Sequence, residues 1–214
     1  MDWMWTKSVI SLLQLSGQIP PGSCLNVYRG MSTICGKRNA LAEECLRHPQ
    51  LKWLLFVDSD MTTPPDVIQQ LLAHDADIVA GLCCQRHAPY ECAAGRVLAI
   101  GDSTDPLRPG DSSSMQYQLL APSMAGKGAV SVDMVGTGVM LIRRHVLEKM
   151  PPPWFVANER HYSGHNEDFN FCLRARDLGF SILCDTSVVC GHVGSTEITP
   201  ENAASWQATH EENA

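Results

Sequence analysis

Five apolar residues in a row, Trp53-Leu54-Leu55-Phe56-Val57, stop abruptly at Asp58-Ser59-Asp60. An unbroken apolar run of that length, cut off by acids, reads as a strand buried on both faces. Helix signals follow it. Thr63 suits an N-cap, Pro64 a first helical position and Asp66 a first-turn acid, and Val67, Ile68, Leu71 and Leu72 form one apolar stripe. Asp77 to Cys83 is another strand candidate. Upstream, Cys24 to Tyr28 reads as a short strand and Lys37 to Arg47 as a helix, with Leu41, Ala42, Cys45 and Leu46 on one side. Strand and helix alternating at this spacing imply an α/β domain around a parallel sheet.

The N-terminal segment reads as an amphipathic helix with Trp5, Val9, Leu12 and Leu13 turned to the core, stopped by Gly17 and Pro20-Pro21. Residues 86–128 shift to Gly, Ser, Pro and Asp and read as loops and short strands, among them Val97 to Ile100. Val139 to Ile142 is a strand, and Arg143 to Lys149 a short helix ended by Pro151-Pro152-Pro153. Asn166 caps a helix running to about Leu178, with Gly179 as its stop. Ser181 to Cys184 and Val188 to Cys190 are the last strands. From Thr196 the chain is polar and acidic, a partly mobile tail. The expected layout is one domain over residues 1–195, with a variable loop region at 86–128, and a tail over 196–214.

A chain of 214 residues fits one such domain. A net charge of -7 argues against a general nucleic-acid binder, which carries a basic face. Nine cysteines occur with no CxxC pair, which gives a structural zinc site little support and points to a reducing, cytoplasmic setting. No apolar run is long enough to span a membrane.

Asp58 and Asp60 stand two apart at a strand end. Strand geometry would send both carboxylates the same way, beyond the carboxyl end of a sheet where α/β proteins bind ligands. Two carboxylates there can seat Mg2+ or Mn2+ and leave positions for phosphate and water; a strand-end turn with solvated aspartates is the plainer alternative. Glu167 and Asp168 open a helix, where acids favour the dipole and where a general base can also stand. His192 ends the last strand between Gly191 and Gly194. Arg38 lies in the first turn of its helix, on the rim shared with Asp58, and could clamp a phosphate.

Four motifs occur in order: Leu54 to Asp60, Val135-Gly136-Thr137-Gly138 with the apolar strand after it, His165-Asn166-Glu167-Asp168-Phe169, and His192. With Gly36-Lys37-Arg38-Asn39, this set resembles glycosyltransferase family 2 and its GT-A relatives over about residues 30–195. The resemblance implies a GT-A fold, a mixed sheet flanked by helices, and transfer of a sugar from a nucleotide-diphosphate donor to a glycan, lipid-linked or protein acceptor, with inversion. It implies donor contacts from Arg38, Asp58, Ser59, Asp60, Gly136, Thr137 and Gly138. It implies a Mn2+ or Mg2+ ion on Asp58, Asp60 and His192, and Asp168 as catalytic base with Glu167 beside it in the acceptor site. Residues 1–85 would form the nucleotide-sugar half and 129–195 the acceptor half. Apart from the resemblance, the loop from Arg86 to Gly128 is a candidate acceptor-binding lid, with Arg86 and His87 near its entrance. The family's usual opening strand, apolar-apolar-Pro, has no counterpart; Met1 leads straight into the first helix.

Two rivals carry specific residues. Asp58-Ser59-Asp60-Met61-Thr62 also fits the DxDxT motif of haloacid dehalogenase-like phosphatases, with Gly101-Asp102-Ser103-Thr104-Asp105 as a later acidic motif. That family needs a Lys between the two, and none occurs between Lys52 and Lys127. A degenerate, non-catalytic sugar- or nucleotide-binding module is the other rival.

Overall fold

In a computed structural model of the chain, residues 3–27, 32–99, 115–157, 166–194 and 196–211 are described. Along the first half run α1 (Trp3–Ser16), α2 (Ile34–Arg47), β1 (Trp53–Val57), β2 (Met61–Thr62), α3 (Val67–Leu72) and β3 (Ile78–Leu82). The middle holds β4 (Ala94–Ala99), β5 (Gln116–Leu119), β6 (Ala129–Ser131) and β7 (Met134–Val135). Then come β8 (Val139–Arg143), α4 (Arg144–Lys149), α5 (Glu167–Asp177), β9 (Ile182–Val189), β10 (Gly191–Val193), β11 (Glu197–Ile198) and α6 (Pro200–Glu211).

The main sheet has the order β1-β8-β3-β9-β6. Only β3 and β9 run parallel; β1–β8, β8–β3 and β9–β6 are antiparallel. The sheet is therefore mixed and not parallel. The alternation in the first half is real, but β8 arrives from the far half and inserts between β1 and β3 in the opposite direction. Two small sheets, β11-β10-β2 and β5-β4-β7, complete the fold.

β1 is the margin of the main sheet, and of its five side chains only Phe56 is fully buried. Leu54 and Phe56 do reach one core, and Trp53, Leu55 and Val57 the other. The expected cover on both faces is therefore present but partial. The strand buried along its whole length is β3. Arg144 N donates to Lys52 O and Asp58 N to Gly138 O, each at 2.9 Å, so the even-numbered peptide groups bond to β8. Those of Leu55 and Val57 point the other way, where no strand pairs with them among the described residues.

Other elements depart from expectation for local reasons. On α1 the buried side runs through Ser8, Ser11 and Leu15, while Val9 and Leu13 are exposed and Leu12 is half-buried. Ser11 Oγ accepts from Thr63 N at 2.8 Å, which turns that polar side inward. Residues 24–27 form no strand and are exposed; Tyr28 lies outside the described residues. Helix α3 starts at Val67, not at Pro64, because Pro65 disfavours helical backbone at Pro64. Helix α2 starts at Ile34, where Thr33 caps Gly36 N. The last strands join as one β9 followed by β10. The polar tail from Thr196 holds β11 and α6, and α6 anchors on the fully buried Ala203.

Candidate active site

The chain leaves β1 in a turn, with Met61 N donating to Asp58 O at 3.1 Å. This turn breaks the strand periodicity that would have aimed Asp58 and Asp60 together. Asp58 faces Arg38, its Oδ2 3.3 Å from Nη2. Asp60 faces His192 and Arg86, with Oδ2 3.4 Å from His192 Nε2 and 3.0 Å from Arg86 Nη1. Ser59, between them, is exposed. Burial pushes the Asp58 carboxyl above its ordinary value, against the pull of the Arg38 charge. The hydrogen bond with His192 holds Asp60 below its ordinary value, against the opposing effect of burial.

His192 sits on β10, paired with Met61 of β2 on one side and Ile198 of β11 on the other. Its Nδ1 is 3.0 Å from Cys84 O. A carbonyl only accepts, so Nδ1 carries a proton; Nε2, turned to Asp60, donates to that carboxylate when it too is protonated and offers a lone pair when it is not. The neighbouring glycine serves the protein, not a bound group. A Cβ on Gly191 would stand 2.4 Å from Thr62 Oγ1 and 2.5 Å from Glu197 Oε1. Those two atoms belong to a chain of contacts, Thr62–Glu197–Lys7, that ties β2 and β11 to α1.

Arg38 was expected at the rim as a phosphate clamp. Instead its side chain is 7% exposed and engaged on two carboxylates, bonding Glu167 Oε1 as well as Asp58. Its Nε is buried without a partner among the described residues. Asn39, next along and quoted above only as part of a motif, has a structural role. Its Oδ1 accepts from Trp154 N and Phe155 N, and its Nδ2 donates to Phe155 O, so α2 holds the segment at 154–155 that precedes α5.

Asp168 lies in the first turn of α5 with Oδ1 accepting from Phe169 N at 2.8 Å. The peptide of Thr137 also bonds it. A Cβ on Gly136 would come within 3.5 Å of Asp168 Oδ2 and 2.9 Å of Ala93 Cβ, so this loop passes close under the carboxylate. Burial raises the Asp168 carboxyl to about 6. Gly138 O accepts from Asp58 N, which ties the loop to the Asp58 turn. Thr137 itself was expected to floor the donor site, yet its side chain is fully buried, so only its peptide can serve there.

Two neighbourhoods therefore stand side by side: Asp60 with His192 and Arg86, and Asp168 with Glu167, Arg38 and Asp58. The expected set of three metal ligands is not assembled. No group of three or more His, Cys, Asp or Glu side chains able to hold a metal ion occurs among the described residues. Asp60 and His192 are the pair that meets, and Asp58 is turned to Arg38. The acidic stretch at 101–105 and His165 lie outside the described residues. Among the described residues no helix is long and apolar enough to cross a membrane.

The Anp1 family model matches residues 30–94, less than half of the chain. No curated protein matches. Among solved structures, A197 from STIV superposes with a TM-score of 0.60 at 15% identity, over 91% of this chain and 84% of that one. A GalNAc-T7 structure with UDP, GalNAc and Mn2+ superposes with a TM-score of 0.50 at 13% identity, over 91% of this chain and 36% of that one. The chain thus spans about a third of GalNAc-T7. At these identities the likeness is one of fold, and the fold is GT-A-like: a mixed sheet flanked by helices.

Proposed function

We propose that this chain is a metal-dependent glycosyltransferase that moves a sugar from a nucleoside-diphosphate donor to an acceptor hydroxyl with inversion. What carries the proposal is the Asp60–His192 pair, its imidazole oriented by Cys84 O. A histidine nitrogen fixed by a hydrogen bond through its other nitrogen, facing a carboxylate, is a common way to prepare a metal ligand. One imidazole and one carboxylate suit Mn2+ or Mg2+ and leave coordination positions for phosphate and water. An ion held there would draw negative charge off the departing diphosphate.

The chain's own residues do the rest. Asp60 and His192 would hold the ion, and Arg86, 3.0 Å from Asp60, would add positive charge beside it. The peptides of Gly136, Thr137 and Gly138, next to Asp58 and Ser59, form the floor of the donor site. Asp168 takes the proton of the acceptor hydroxyl as its oxygen bonds to the anomeric carbon and the bond from that carbon to the diphosphate breaks. Arg38 acts as an internal cation that holds Asp58 and Glu167 in place. The family-2 motifs, the mannosyltransferase-related Anp1 match and the UDP, GalNAc and Mn2+ of GalNAc-T7 support the same reading.

A thermal-shift panel of UDP, GDP, CDP and dTDP with and without Mn2+ tests it. One diphosphate should raise the Tm, only with Mn2+, and Asp60→Ala should abolish the rise. A shift indifferent to Mn2+ and to Asp60 would remove the metal assignment. A shift without turnover of any sugar donor would leave a binding module.

The pH dependence follows from Asp168. Its base form is the carboxylate, so kcat/KM should rise about tenfold per pH unit up to about 6 and then level. Stability runs the other way. The folded state keeps this proton where the unfolded chain has lost it, so this group's contribution falls as pH rises from about 4 to 6. A pH–rate profile that shows no acidic limb would remove Asp168 as the base.

A further inference from the structure

Beyond β3 the chain turns back on itself, and Cys84 and Cys92 meet across the turn as an antiparallel bridge. Gln85 N donates to Glu91 O and Ala93 N to Cys83 O, each at 2.9 Å. Those bonds flank the cysteine pair and leave it at a non-hydrogen-bonded position. There opposed Cα atoms approach to about 4.5 Å and the side chains lie closest. The two sulfurs are 3.6 Å apart. Disulfides span Cα separations of about 4.4–6.8 Å, a range that includes the spacing usual at such a position. Cys83 does not compete. It points to the opposite face and lies in the other hydrophobic core, with Cys190.

The hairpin between the two cysteines bears on the site. Residues 85–89 are exposed. Arg86 reaches Asp60, Gln207 Nε2 donates to Pro89 O, and Tyr90 sets its ring edge-on to Trp206. The tip is thus held by side-chain contacts, while its base is held by the strand bonds around Cys84 and Cys92.

We propose that Cys84 and Cys92 are an oxidation site, a reversible cross-strand disulfide that locks the hairpin carrying Arg86 to Asp60. Each thiol gives up its hydrogen and a sulfur–sulfur bond forms. The two electrons and two protons pass to a small disulfide such as oxidised glutathione, which leaves as two thiols. Both sulfurs are buried, so exchange proceeds through local opening of the exposed hairpin or during folding. The pairing rests on hairpin geometry alone and stands whether or not the chain is a transferase.

The test refolds the full chain in glutathione buffers from fully reduced to fully oxidised. Free thiols are then blocked with N-ethylmaleimide, peptides are mapped by mass spectrometry, and melts are recorded. The expected map links Cys84 to Cys92 in the oxidised samples, and dithiothreitol reverses the link. The oxidised form should melt about 5 °C above the reduced form, since a short closed loop restrains the unfolded chain. In Cys92→Ala the difference between oxidised and reduced melts should vanish. Should that variant fail to fold, Cys84→Ser gives the same comparison, and the wild-type map needs no variant. Alkylation of both cysteines at every glutathione ratio, or their linkage to other cysteines, would overturn the proposal. So would a melting difference that persists in the variant.

Discussion

Asp168→Asn should lower the transfer rate roughly a thousandfold while leaving the Mn2+-dependent nucleotide shift intact, because it removes only a proton acceptor. The amide keeps an oxygen for Phe169 N, so the first turn of α5 stays formed. Folding should not suffer either. Burial already disfavours the Asp168 carboxylate, and the neutral amide escapes that cost at neutral pH. Single-turnover rates with saturating donor, measured beside a thermal shift with nucleoside diphosphate and Mn2+, separate the two effects. Lost nucleotide binding together with retained transfer would contradict the assignment of Asp168 to the acceptor.

Arg38→Ala should be the most destabilising substitution near the site. It strands Glu167, whose side chain is 14% exposed, and leaves the half-buried Asp58 without its cation. Removing one partner from a buried pair costs about 3 kcal/mol, most of it the penalty on the charge left behind. In a chain of this size that loss is about 9 °C in Tm. The double variant Arg38→Ala/Glu167→Gln should recover part of the loss, since it no longer buries an unpaired carboxylate. If the single variant melts like wild type and loses only donor affinity, Arg38 is a donor clamp and not an internal cation.

Much of the fold was legible because its strong signals are local. The runs that became β1, β3 and β8 are short apolar stretches closed by polar residues, and α2, α4 and α5 start within a few residues of their expected positions. What failed was long-range or depended on a neighbour. The order of β1 and β3 in the sheet is decided by β8, whose arrival between them no periodicity encodes. Ser11 points inward because Thr63 N, far along the chain, offers a partner. At the site, Asp58, Asp60, Asp168 and His192 stood out as chemical types at suggestive places. Their partition into two neighbourhoods did not, because it follows from the turn after β1 and from Arg38 and Arg86. Asn39 left only a faint signal beside Arg38, since an amide shows its worth through the two peptides it bridges.

The margin of β1, which pairs with no further strand among the described residues, also bears on how copies of this chain would meet. A net charge of -7 keeps molecules apart at a distance, a colloidal repulsion that acts over the whole surface. At contact range the peptide groups of Leu55 and Val57 offer a ready line for backbone pairing, on a strand with neither charge nor proline to blunt it. Physiological salt shortens the repulsion to a reach of about 8 Å and leaves hydrogen bonding untouched. Solution conditions that quieten the charges should therefore bring this margin into play, so association of the chain should rise with ionic strength.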